Sequence, residues 1–146
     1  MKESKTISPL KGSSWYTTTE TRYFNTVIVG QEVNHKYFKL DIDGWLTIYP
    51  GYSYDGPTSV PYIKIFGRLL FRWIFRAALP HDVLYQAIRL SLIPKECRKQ
   101  ADILLKRLCI EDGAWKWQAS IAYFILRKGA KSAADKKNAR KKVTFP

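Results

Sequence analysis

The sequence predicts an α+β fold, with a small antiparallel sheet in the N-terminal half packed against about three helices in the C-terminal half. Three observations carry this. Between Arg22 and Tyr54 the aromatic and β-branched residues come in short runs closed by Gly30, Asp43-Gly44 and Pro50-Gly51. From Ile63 onward the apolar residues follow a helical period instead. The switch falls at Asp55-Gly56-Pro57, so strands come first and helices second.

Residues 1–20 are polar, with Ser13-Ser14 and Thr17-Thr18-Thr19, and read as an N-terminal arm or a weak edge strand. A single α+β domain over 21–130 follows, and 131–146 forms a basic tail with few apolar anchors. Tyr23 to Val29 carries a strand signature ending at Gly30. Tyr37 to Ile42 and Trp45 to Tyr49 should pair as a hairpin across Asp43-Gly44. A helix is expected from about Leu70 to Arg89, with three helices in all following Gly67. Pro80 should kink or restart the first of them, which would put His81 and Asp82 in an opening turn. Ile93-Pro94 breaks the chain. Lys95 to Asp112 forms the second helix, with Ala101, Leu104, Leu105 and Leu108 on one stripe and Gly113 ending it. Ala114 to Arg127 forms the third, with Trp117, Ile121, Phe124 and Ile125 or Leu126 expected inside.

Composition narrows the partners. Lys and Arg number 25 against 12 Asp and Glu, a net charge of +13. That balance suits an anionic partner such as nucleic acid, an acidic protein surface or lipid headgroups, or else a solvated basic tail. Cys97 and Cys109 stand on one predicted helix, separated by about 18 Å of rise, too far for a disulfide. Free thiols suit a reducing compartment. The N-terminus lacks a signal-peptide core and no apolar run reaches membrane-spanning length, so the expected location is the cytoplasm.

The stretch that needs explaining is Arg76 to Gln86. His81 and Tyr85 are four residues apart and share a helix face, with Asp82 and Arg89 one step round. Tyr54-Asp55-Gly56-Pro57-Thr58-Ser59, then Arg76-Ala77-Ala78-Leu79-x-His81-Asp82-x-Leu84-Tyr85-Gln86, then Ala101-Asp102 and Cys109 to Gly113 occur in order. Over roughly residues 40–128 these motifs resemble a family of small bacteriophage and prophage proteins of unassigned function. The resemblance implies a phage origin, hence host cytoplasm or virion. It supports Asp55, His81, Asp82 and Asp102 as a shared polar set and implies no activity. Pro80 departs from the aliphatic or small residue expected there.

Asp55, His81, Asp82 and Asp102 are the candidate catalytic residues, and the same four are candidate ligands for a divalent cation. Such an ion would activate water or polarise a phosphoryl or carbonyl oxygen. Without a metal, a carboxylate could orient His81 as a general base, with Thr58 or Ser59 as nucleophile. The single histidine is unlike a zinc site. Each residue also has a structural role open to it. Asp55 can brace its turn, Asp82 can cap a restarted helix, and His81 can be a satisfied buried partner of Asp102. Tyr85 reads as core. Glu111-Asp112 at a helix C-terminus opposes the dipole and calls for Arg or Lys partners, or faces a site. His35 is expected in a solvated turn, and the cysteines as packing residues.

Three functions follow as expectations. The first is a phage-encoded protein with a hydrolase-like or metal-binding His/Asp site. The second is a non-enzymatic virion or assembly component that contacts phage structural proteins. The third is a basic nucleic-acid-binding module acting through Lys128, Lys131, Lys136, Lys137, Arg140, Lys141 and Lys142. No interleaved aromatics for base stacking accompany that tail.

Overall fold

The computed structural model describes residues 7–9, 16–18, 21–24, 26–54 and 63–129, with side chains for 21–24, 26–52, 73–74 and 76–128. Asp55, Thr58, Ser59 and the basic tail lie outside the described residues. Among the described residues seven strands precede three helices: β1 Ile7–Pro9, β2 Tyr16–Thr18, β3 Thr21–Tyr23, β4 Val33–Asn34, β5 Phe38–Leu40, β6 Leu46–Ile48, β7 Ser53–Tyr54, then α1 Ile63–Arg89, α2 Cys97–Glu111 and α3 Lys116–Gly129. The fold is α+β. One antiparallel sheet has the order β3-β6-β5-β4, and a smaller one the order β1-β2-β7. The stretch expected as an arm or weak edge strand therefore carries β1 and β2.

The hairpin forms as expected, with Phe38 opposite Ile48 and Leu40 opposite Leu46. Its tip differs by one residue. The Gly44 N–H donates to Asp41 O at 3.0 Å and the Asp41 N–H to Trp45 O at 2.8 Å. Ile42 and Asp43 thus make the turn, and Gly44 takes the left-handed position after them at φ 90°. Ile42, read as the end of a strand, is an exposed tip residue. A side chain at Gly44 would also meet Ile28, whose Cδ1 lies 2.8 Å from the position of a Cβ.

The strand expected over Tyr23 to Val29 is displaced. β3 pairs with β6 from Thr21 to Tyr23 and stops. Beyond it the Thr26 N–H and hydroxyl both donate to Gly44 O in the hairpin turn. There the partner strand has already turned away, so Val27 to Val29 have no ladder to join. β-propensity without a neighbour does not make a strand.

α1 runs unbroken through Pro80 and begins before both Leu70 and Gly67. The restart at Pro80 is absent, and His81 and Asp82 sit in the helix interior. Every residue from Arg76 to Ile88 is buried. Packing on all sides holds the helix together against the donor that proline removes. Its end is a left-handed cap. The Leu92 N–H donates to Ala87 O and the Ser91 N–H to Ile88 O, with Ser91 at φ 59° where glycine is usual. α2 ends the same way with the expected residue, Gly113 at φ 110°.

On α2 the stripe Ala101, Leu104, Leu105 and Leu108 is buried as expected. On α3 the expectation holds at Leu126 and fails at the three larger positions before it. Ala119, Ala122 and Leu126 are buried, whereas Trp117, Ile121 and Phe124 are 53%, 37% and 61% exposed. The sheet residues Tyr23, Phe38, Leu40, Leu46 and Ile48 share one core with α1 and α2. Among the described residues no helix is long and apolar enough to cross a membrane.

Candidate functional site

His81 and Tyr85 stand one helical turn apart on the buried stretch of α1, so both side chains reach the same point on α2. That point is Asp102, whose side chain is fully buried. His81 Nε2 lies 2.8 Å from Asp102 Oδ1, and the Tyr85 hydroxyl donates to the same oxygen at 2.7 Å. From α3, Arg127 donates to Oδ2 at 3.1 Å. An ionised carboxylate only accepts, so the hydrogen on Nε2 is assigned by this partner. The two rings lie 4.2 Å apart, centroid to centroid. One carboxylate thereby joins three helices.

Electrostatics agree with the geometry. Burial works to raise the Asp102 pKa, but the donors from His81, Tyr85 and Arg127 outweigh it and hold the carboxyl below its ordinary value. Burial, together with the charge and hydrogen bond of Asp102, pushes the Tyr85 hydroxyl well above its ordinary range. Tyr85 is therefore a fixed hydrogen-bond donor. Arg98 donates to Leu126 O at 3.3 Å and Arg127 O at 3.1 Å, fastening the last carbonyls of α3.

Asp82 belongs to a different contact. Its carboxylate accepts from the Tyr52 hydroxyl at 2.8 Å, so it caps no helix. Tyr52 follows a Pro50-Gly51 turn in which its N–H returns to Tyr49 O, with Gly51 at φ 87°. This bond draws the run that leads toward Asp55 onto the His-Asp helix. His81 and Asp102 thus meet, Asp82 meets Tyr52, and Asp55 lies outside the described residues.

Arg76 Nε donates to both Asp112 oxygens, at 3.0 and 2.8 Å, and Glu111 lies 3.5 Å from its guanidinium. Glu111 also accepts from Arg107 at 3.1 Å. The pair at the end of α2 is neutralised by arginine, one of the two roles open to it. His35 is half-buried instead of solvated. Its ring stacks on Phe38 at 4.7 Å, its Nδ1 accepts from the Tyr37 N–H, and burial lowers its pKa. Cys97 and Cys109 are buried free thiols. Burial, aided by Asp112 and opposed by Arg76, pushes Cys109 up to about 12, so it is no nucleophile at neutral pH.

Among the described residues no three His, Cys, Asp or Glu side chains group as a metal site. An open cleft of about 430 Å³ lies at the end of α1, between Gln31, Ile88, Leu92 and Lys95, and none of the candidate site residues lines it. Sequence reasoning missed three participants, Arg127, Arg98 and Tyr52. Arg127 and Arg98 carry no local motif, and Tyr52 reads as the lead-in to a loop. Comparison with known proteins finds no matching family model, no similar curated protein and no similar solved structure.

Proposed function

We propose that the chain is a non-enzymatic binding or assembly protein, and that His81, Tyr85, Asp102 and Arg127 hold its helices in place. One observation carries this reading: the Asp102 carboxylate is fully buried and accepts from three donors on two other helices. A carboxylate that already accepts three bonds and has no exposed surface is not presented to a substrate. The phage origin implied by the motif resemblance fits a virion or assembly component. The net charge of +13 fits an anionic partner.

The test is a thermal melt of the wild type and His81→Ala, with and without magnesium, manganese, calcium or zinc. His81→Ala should cost about 1–3 kcal/mol, because it removes a donor from a buried carboxylate. No cation should raise the melting temperature of either protein. A stable His81→Ala protein, or a cation-dependent rise in the wild type, would replace the scaffold with a site.

A second reading, a hydrolase-like or metal-binding site drawing on Asp55 as well as His81, is favoured by the Tyr52–Asp82 hydrogen bond, which fixes the chain close before Asp55 in sequence to α1. It requires the wild type to gain stability from a divalent cation and Asp55→Ala to lose that gain.

A further inference from the structure

We propose that the outer face of α3 is a peripheral docking surface for an anionic lipid bilayer. The inference does not depend on the role of His81. Trp117, Ile121 and Phe124 follow one another at helical spacing, all exposed, and Trp115 beside them is 68% exposed. The rings of Trp115 and Trp117 meet edge to face at 6.4 Å. Single exposed apolar residues need no explanation, but three along one side of α3, with Trp115 just before its first turn, form a patch.

The helix cannot turn this patch inward. Its opposite face is occupied by Ala119, Ala122 and Leu126, while Arg127 is bonded to Asp102 and the last carbonyls are held by Arg98. The rotation of α3 is thus fixed with its aromatic side outward.

Charge identifies the occupant. α3 contains no acidic residue, and Lys116 and Lys128 flank the patch. Lys128 Nζ lies over the Phe124 ring, 5.4 Å from its centre, so a positive charge sits directly beside the exposed aromatic surface. The sequence after α3 adds six Lys or Arg against Asp135 alone. A second copy would bring like charges together around the same patch. An anionic bilayer instead offers negative headgroups above an apolar layer. Trp and Phe settle at that depth while lysines reach the phosphates. At about 20 Å long, α3 would lie in the interface and not across it.

The experiment is co-sedimentation of the full chain with phosphatidylcholine vesicles, with and without phosphatidylglycerol, read alongside tryptophan emission. The wild type should bind the anionic vesicles with a blue shift and bind the neutral ones far less. Trp117→Ser with Phe124→Ser should weaken anionic binding at least about tenfold at an unchanged melting temperature. Lys128→Glu, an exposed change that leaves the aromatic residues intact, should weaken it about tenfold. It decides the matter if the double variant misfolds. Absence of wild-type binding to anionic vesicles would overturn the proposal. Equal binding by wild type and variants would also overturn it, assigning attraction to tail charge alone. Self-association of the wild type without vesicle binding, lost in the double variant, would give the face to a second copy.

Discussion

Two charged clusters tie α1 to α2, and they bury opposite signs. In the first, the anion is inside: Asp102 has no exposed surface and takes donors from His81, Tyr85 and Arg127. In the second, the cation is inside: Arg76 is nearly buried, while its partners Asp112 and Glu111 keep 21% and 40% of their side chains exposed. The difference lies in what each group can do when a partner is lost. Glu111 and Asp112 can turn to water. Asp102 cannot, and neither can the His81 and Tyr85 groups bonded to it. A buried pair is costly to break because the group left behind stays desolvated. The helix interface should therefore be fragile at Asp102 and tolerant at Glu111.

The largest expected effect breaks the first cluster. Asp102→Ala removes the common acceptor, leaves two buried donors unsatisfied and frees Arg127. Denaturant unfolding should show a loss of about 3–5 kcal/mol. A loss under about 1 kcal/mol would mean that the cluster resembles a surface ion pair, and the contrast would fail.

A smaller effect comes from acid. The folded pKa of Asp102 lies below its ordinary value of about 3.9, so on acidification the unfolded chain takes up this proton first. The stabilisation from Asp102 is whole above about pH 4 and is lost as pH falls further, through the lower folded value. Asp102→Asn should be less stable at neutral pH and lose less than the wild type between about pH 5 and pH 3. Parallel loss in the two proteins would show that Asp102 is not held ionised.

The smallest effect tests the second cluster. Glu111→Gln removes an acid that is 40% exposed and lies 3.5 Å from Arg76, while Asp112 retains its two bonds to that arginine. The stability change should stay within about 0.5 kcal/mol in a chemical melt. A loss near that of Asp102→Ala would erase the distinction between the clusters.

Part of this site is legible in the chain. His81 and Tyr85 at four-residue spacing, and Asp102 on a following helix, point to one polar set because a long apolar helix leaves its few polar groups in need of partners. The contact between His81 and Asp102 was among the alternatives open to the sequence. Arg127 was not legible, because nothing local distinguishes it from the other basic residues near the end of α3. The role of Asp82 was hidden by Pro80, whose local preference suggested an opening turn.

What the sequence by itself determined is set by short-range chemistry. The Asp43-Gly44 pair and alternating residues select a hairpin, Gly113 ends α2, and the spacing of Ala101, Leu104, Leu105 and Leu108 selects its buried face. Tertiary structure decided the rest where two local answers were close in free energy. Burial on every side carries α1 through Pro80, although local preference alone would break it there. On α3 the large apolar residues would have chosen one face by hydrophobicity. The buried carboxylate of Asp102 instead draws Arg127 inward, and small alanines face the fold. The bond from Arg127 to a buried carboxylate, and the close approach that Ala119 and Ala122 allow, favour this rotation over one that buries Trp117 and Phe124.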